Sequence, residues 1–324
     1  MNTLKKVWID TDPGVDDTVA IAMCFEAEDQ IEVVGVSTIF GNVGVEATTR
    51  NAKILLEALG KSHLPLARGA AYPLAVPLDT SPFVHGENGL GDMPLPPTSM
   101  AESSLTAPQA IIEIILAHPH EITLFPIGPL TNIAMAYLLE PKIADLVKEV
   151  VIMGGAVRCP GNITPAAEAN FYHDPHAAQI VIHAGWDLTL VGLDVCNTGL
   201  IPNKLLEKIC SADKPLSKFI AGSTPFYQEF LKNVLNIHGH VEYPDAVAAA
   251  YLKNPDIFNS EKLSLFVETE GSCQGQSLAA PGGKWYENPK EHAHFKADET
   301  ITPVNVLLKL DVGGYLQLIE KLLA

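Results

Sequence analysis

Four apolar runs, VVGVST (33–38), ITLFPIG (122–128), EVVIMGG (149–155) and LTLVGLDV (188–195), place hydrophobic side chains at both odd and even positions. A strand written this way is buried on both faces, which predicts a parallel sheet sandwiched between helices. The segments at 44–59, 107–117, 129–139 and 175–184 have the amphipathic spacing of the covering helices. Thr106 and Gln109 form a capping-box pair that starts the second of them. Repeated strand–helix alternation therefore predicts an α/β architecture: an open, mostly parallel, doubly wound sheet with helices on both faces. Residues 197–252 read as mostly helical, and 261–305 as shorter strands and loops. With LDTSPFVHGENGLGDMPLPP (78–97), a stretch long enough for a functional lid, they would form helical and loop insertions over the site. No solenoid repeat or low-complexity seam divides the chain, so residues 1–324 are expected to form one domain.

Chemistry concentrates at the first strand. VWIDTDPGVDD (7–17) sets Asp10, Asp12, Asp16 and Asp17 around a Pro-Gly turn, where the chain leaves a buried strand and enters a helix. In an open α/β sheet, the carboxyl ends of strands are where ligands bind. Acids in the first turn of a helix complement its dipole, which would account for Asp16 or Asp17. It does not account for Asp10 and Asp12, which close the strand on the other side of the turn. Like charges this close stay ionised only beside a cation, and a hard, oxygen-preferring metal is the expected resolution.

A net charge of −17 opposes binding to nucleic-acid backbones and to anionic membranes, leaving a small neutral or cationic substrate. The opening MNTLKK runs straight into a strand, and no apolar run reaches membrane-spanning length, so a cytoplasmic protein is expected. The five cysteines are scattered, without a CxxC pair, and read as reduced thiols.

Further polar patches follow the ends of core strands. Asn42 follows VVGVSTIF, and GPLTN (128–132) follows ITLFPI. Asn162, Glu168, Asn170 and Asp174 lie after the 149–155 run, and Asp245 opens a helix in EYPDAVAAAY (242–251). Each alone is an ordinary cap or turn residue. Together they would ring one end of one sheet with carboxylates and amides, as a polyhydroxyl sugar beside a metal requires.

DTDPGVDD, FGN, HGENGL, GPLTN, MGGA, AEANFYHDP and PDAVAAAYL, in that order from Val7 to about Leu310, resemble the inosine–uridine preferring nucleoside hydrolases. The resemblance implies hydrolysis of the N-glycosidic bond of ribonucleosides in nucleoside salvage, a tightly bound Ca²⁺, and a homodimer or homotetramer. It implies metal ligation by Asp12, Asp17, Asp245 and the main-chain carbonyl of Ile127. Asp12 would be the general base. Asp16 and Asn42 would hold the 2′ and 3′ hydroxyls, Asn162, Glu168 and Asn170 the 3′ and 5′ hydroxyls, and Met153 the underside of the ribose.

The pattern breaks at Pro244, where much of that family carries the histidine that protonates the departing base. His240 is the expected substitute, with His238, Tyr227 and Tyr243 as neighbours in 226–243 and His85 as a further group near the base. Tyr227 would also wall the base. A second departure is GSCQGQSLAAPGG (271–283), where relatives carry an acid after a Gly-Gln-Thr stretch; Trp285 and Tyr286 follow it. Two other readings remain: a nucleoside- or ribose-binding degenerate hydrolase, and a haloacid-dehalogenase-type phosphatase, whose D-x-D spacing Asp10 and Asp12 match. A Rossmann dehydrogenase fits poorly, because no G-x-G-x-x-G follows the first strand.

Overall fold

The strands of the computed structural model, which describes residues 4–281 and 302–324, follow the predicted alternation. They are β1 (Lys5–Thr11), β2 (Ile31–Thr38), β3 (Leu66–Arg68), β4 (Ile122–Pro126), β5 (Glu149–Met153), β6 (Leu188–Val191), β7 (Ile201–Pro202), β8 (His240–Val241), β9 (Phe258–Val267), β10 (Ser277–Pro281) and β11 (Val304–Leu310). Nine of them make one sheet in the order β10-β9-β11-β6-β5-β4-β1-β2-β3, and β7 and β8 form a separate pair. From β11 to β3 every pairing is parallel; β9 and β10 add an antiparallel edge. The sheet is thus doubly wound, and the strand order reverses between β1 and β4.

Alternation within the strands builds a core on each face. Val7 and Ile9 of β1, Phe125 of β4, and Val151 and Met153 of β5 pack on one side. Trp8, Ile122, Leu124, Val150 and Ile152 pack on the other. The first face is covered by the helices Val15–Glu26, Ser217–Asn233, Pro244–Lys253 and Val312–Leu323; the second by Ala107–Ala117, Thr131–Leu139 and Pro175–Ile182. Trp8 is buried without an orphaned donor because its indole N–H donates to Ser37 Oγ at 2.9 Å. The capping box at 106–109 forms as expected, with Thr106 N–H donating to Gln109 Oε1 at 3.0 Å.

Three local expectations are corrected. The run 188–195 is not all strand: β6 stops at Val191, and Leu193–Cys196 turns helical after Gly192. Asp194 drives the break by accepting the backbone N–H groups of Val157 and Arg158, pulling the chain out of the sheet. The mostly helical 197–252 contains the short β7–β8 pair. The segment beginning at 261 belongs to a ten-residue strand, β9, paired on both sides with β10 and β11. All five cysteines are free. Trp285 and Tyr286 lie outside the described residues. Among the described residues no helix is long and apolar enough to cross a membrane.

Candidate active site

The strand order reverses between the paired strands β1 and β4, and the pocket lies beyond their carboxyl ends. Its free space, counted with the open solvent at its mouth, is about 680 Å³. Asp12, Asp16, Asn42, Ile127, Met153, Glu168, Asn170 and Asp245 line it together with Asn162, Tyr227 and Glu242. Most of the residues expected at the site from sequence are therefore brought together, from positions more than two hundred residues apart.

The Pro-Gly turn sets the floor. Asp17 caps its own helix start: one oxygen accepts the Thr11 hydroxyl, the other the Gly14 N–H at 2.9 Å and Asn42 Nδ2 at 2.8 Å. Asn42 also donates its backbone N–H to Asp12 Oδ2 at 2.7 Å and its amide to the Asp12 carbonyl at 3.1 Å. This asparagine braces two carboxylates against each other. Asp12 Oδ1 and Asp16 Oδ1 are buried and have no hydrogen-bond partner. Gly128 and Gly41 press against Asp12 from both sides; a Cβ at either would lie 2.4 Å from Oδ1 or 2.1 Å from Oδ2. Only residues without a side chain leave this carboxylate its place.

Asp10 does not join the floor. Its carboxylate turns into the sheet, where Ser37 Oγ and Asn132 Nδ2 donate to it, and burial pushes it up to about 7. It is a buried structural acid beneath the site. That placement removes the nucleophile a haloacid-dehalogenase-type phosphatase would need.

Ligating oxygens of Asp16, Asp17 and Asp245 lie within 4.8 Å of one another, a group able to hold a metal ion. Asp12 stands outside that trio but is close enough for its charge to raise Asp245. Burial, followed by mutual repulsion, pushes Asp12 and Asp245 well above the usual carboxylate range. Asp16 and Asp17 rise to about 6, both mainly through burial. Among the described residues no Lys or Arg lines the pocket. His85 Nδ1 lies 3.8 Å from Asp16, but burial lowers the imidazole to about 4, so at neutral pH it is uncharged and neutralises nothing. Buried acids without a cation and two carboxylate oxygens without a donor are what a hard divalent ion would satisfy.

A stability test follows. The folded values of these acids lie above the unfolded ones, so the stability they allow is present at low pH. It is lost as pH rises from about 4 through about 6 in metal-free protein. A bound cation offsets that loss, by about 2.7 kcal/mol at a free concentration 100 times its Kd. Chelation should therefore lower Tm more at about pH 8 than at about pH 5. An equal drop at both pH values, by calorimetry, would count against a cation among these carboxylates.

Ile127 follows the end of β4, and its carbonyl accepts Asn170 Nδ2 at 3.0 Å. The same amide reaches the Met153 carbonyl at 3.1 Å and Sδ at 3.3 Å, so Asn170 ties two strand ends together. Glu168 lines the pocket, yet its carboxylate already accepts the N–H groups of Gly155, Asn170 and Phe171. Asn162 is exposed at the mouth, its Oδ1 held by Ala169 N–H at 3.0 Å. Asp174 is a helix cap outside the pocket, accepting from Ala177 N–H, Leu74 N–H and the Thr131 hydroxyl.

Above the carboxylates the walls turn apolar. Phe83 and Val84 of the 78–97 stretch face Tyr227, Phe230 and Leu235. Phe83 meets Phe230 edge-on at 6.0 Å, and Tyr227 stacks between Phe230 at 6.2 Å and Tyr243 at 5.9 Å. A planar heterocycle fits such a rim, with its polar partner on the floor below.

The expected proton donors fare worse. His240 is corrected: it is exposed on β8, its Nδ1 is 3.2 Å from the His238 carbonyl, and it does not line the pocket. Pairing of β8 with β7 fixes the strand there and holds the imidazole outside. His238 is exposed beside it. His85 lies behind the wall, stacked on Tyr227 at 5.8 Å, with Nδ1 accepting Val15 N–H at 3.2 Å. Tyr243 is buried, with its hydroxyl 2.7 Å from Thr224 Oγ1. Of the five groups only Tyr227 reaches the pocket. Glu242 reaches it too; its only sign in the sequence is its place three residues before Asp245.

Comparison with known proteins agrees with this geometry. The family model described as inosine-uridine preferring nucleoside hydrolase matches residues 7–317. Uridine nucleosidase 1 of Arabidopsis thaliana is 36% identical over 318 residues, covering 98% of this chain and 92% of that protein. The inosine-uridine preferring nucleoside hydrolase of Leishmania major is 36% identical over 270 residues, covering 83% of this chain and 85% of that one. Among solved structures, a plant nucleoside hydrolase superposes with a TM-score of 0.93 at 31% identity over 99% of both chains. A purine-preferring ribonucleoside hydrolase from Gardnerella vaginalis gives 0.88 at 27% identity over 98% of both.

Proposed function

Because the chain belongs to the inosine-uridine preferring nucleoside hydrolase family and so hydrolyses the N-glycosidic bond of ribonucleosides, we infer how its own residues divide that work. The observation that carries the division is the pocket's vertical polarity: unneutralised carboxylates at the floor, aromatic and aliphatic walls above. Ribose belongs below and the base above.

Asp12, Asp17, Asp245 and the Ile127 carbonyl, all hard oxygen donors, are the groups that would hold Ca²⁺; Asp17 and Asp245 stand in the trio with Asp16, and Asp12 lies near enough for its charge to reach Asp245. When bound, the ion supplies the missing positive charge, orders vicinal hydroxyls and makes a nearby water easier to deprotonate. Asp12 would take that water's proton as general base, a role supported by its Oδ1 being buried and without a donor. Asp16 Oδ1, equally bare, accepts a ribose hydroxyl, and Asn42 holds both carboxylates in register. Asn170 and Glu168 face the remaining sugar hydroxyls, Asn162 closes the mouth, and Met153 supports the ring from below. His85 sits behind the base wall and keeps Tyr227 in place through its stacking. As the C1′–N bond lengthens, positive charge spreads over the sugar, and ionised carboxylates stabilise it more in the transition state than in the bound nucleoside.

The reading is tested by measuring free base released from uridine, cytidine, inosine, adenosine and guanosine, with calcium and after exhaustive chelation. Calcium-dependent release is expected, with uridine included because several relatives carry that name. Nucleoside binding with no base released would instead make the protein a degenerate hydrolase used as a binder.

A further inference from the structure

Hydrolysis of an unactivated nucleoside needs a proton for the departing base, and the usual histidine position is Pro244, which has none to give. Among the described residues, each other candidate donor but Tyr227 is held off the base or lies on the floor. His238 and His240 are exposed and do not line it, and His85 has Nδ1 occupied by Val15 N–H behind the wall. Tyr243 is buried against Thr224. Glu168 is held by backbone N–H groups, and Asp12, Asp16 and Asp245 lie on the ribose floor. Tyr227 faces the pocket, but burial and the surrounding acids hold its phenol well above the usual range, too weak an acid to protonate a departing base.

We propose that Glu242 is the leaving-group acid of this enzyme, donating its carboxyl proton to the departing base from the connector between β8 and the helix Pro244–Lys253.

The inference rests on the hydrolase reading above and adds the residue that completes it. Glu242 lines the pocket beside Tyr227, Phe230, Leu235 and Pro244, and its carboxyl group makes no hydrogen bond or ion pair with the rest of the described residues. It is half-buried and free to turn toward a ligand. The groups that face it are Asp16 from the helix Val15–Glu26, Tyr227 from Ser217–Asn233 and Cys196 from Leu193–Cys196; none is a cation. Burial and then the charge of Asp16 push Glu242 up to about 7, so a large share of it carries its proton at neutral pH. A carboxyl held near the working pH is the form of a general acid. Pro244 contributes indirectly. Its fixed φ starts the helix at once, so Asp245 in the first turn and Glu242, three residues earlier in the connector, both line the pocket.

In the reaction the water oxygen bonds to C1′ as the C1′–N bond breaks. The electron pair of that bond passes to the base, which takes the Glu242 proton. Asp12 takes the proton lost by water, and exchange with solvent returns the proton to Glu242. One nucleoside and one water give one ribose and one free base.

The test is Glu242→Gln, assayed on uridine and inosine and on p-nitrophenyl riboside, whose leaving group needs no acid. The expected result is a loss in kcat of about 10²-fold on the natural nucleosides, with p-nitrophenyl riboside turnover within a few-fold of wild type. The fall in wild-type kcat above about pH 7 on inosine should also vanish in the variant. Retained p-nitrophenyl riboside turnover shows that the variant is folded, and Glu242→Asp should recover part of the lost nucleoside activity. Equal losses on both kinds of substrate would overturn the proposal and make Glu242 a ribose contact. No loss on either would overturn it in favour of another donor. A wild-type protein inactive on every substrate, p-nitrophenyl riboside included, would overturn the hydrolase reading itself and Glu242 with it.

Discussion

Asp12→Asn is expected to lower kcat on a natural ribonucleoside by about 10⁴-fold, the upper end of what a positioned proton acceptor contributes. The substitution keeps the shape of the side chain, and its amide oxygen can still accept the Asn42 N–H. What it removes is the basic oxygen, Oδ1, which is buried without a donor and walled by Gly128 and Gly41. An amide there cannot take a proton from water. Nucleoside binding, by equilibrium titration, should change far less than turnover, because Asp16, Asn170 and the apolar walls remain. If binding falls as much as kcat, Asp12 serves to hold the ribose and the base must be sought elsewhere.

Discrimination against 2′-deoxynucleosides is expected to reach about 10⁴-fold in kcat/KM, measured with uridine and 2′-deoxyuridine in parallel. The cause is asymmetric. A pocket that merely adds contacts to a hydroxyl gains little from it. A pocket whose buried acceptors have no other donor loses a great deal when the hydroxyl is missing. Asp16 Oδ1 is such an acceptor: it is buried and unpartnered, and no cationic side chain among the described residues lines the floor on which it lies. Comparable rates on the two substrates would mean that Asp16 does not meet the 2′ hydroxyl.

These two effects have different origins in the chain. DTDPGVDD alone points to carboxylates at the sheet's carboxyl end, where acids closing a buried strand before a Pro-Gly turn are expected to emerge, and the resemblance picked Asp12 out among them. Asp10, two residues earlier, looked equivalent. Its difference comes from Ser37 on β2 and Asn132 beyond β4, which draw it into the sheet and could be placed only once the strand order was known. The same holds for His240 and Glu242. Both lie in a segment whose chemistry was legible, but the β7–β8 pairing that turns one outward has its partner strand near residue 201. Leu193–Cys196 was misread for a related reason: its departure from the sheet depends on Asp194 meeting the chain at 157–158.

What the sequence determined by itself is therefore the local content of the molecule: strands buried on both faces, covering helices, the capped helix start at Thr106 and the acid-rich turn after β1. Residue spacing and turn chemistry act over a few positions and need no knowledge of the rest of the chain. Only the tertiary structure decided which carboxylate oxygens lack donors, which acids are held near neutrality and which of them reach the pocket. Desolvation and hydrogen bonding depend on neighbours that folding brings from distant parts of the chain, as Asn42 is brought to Asp17 and Glu242 to the field of Asp16.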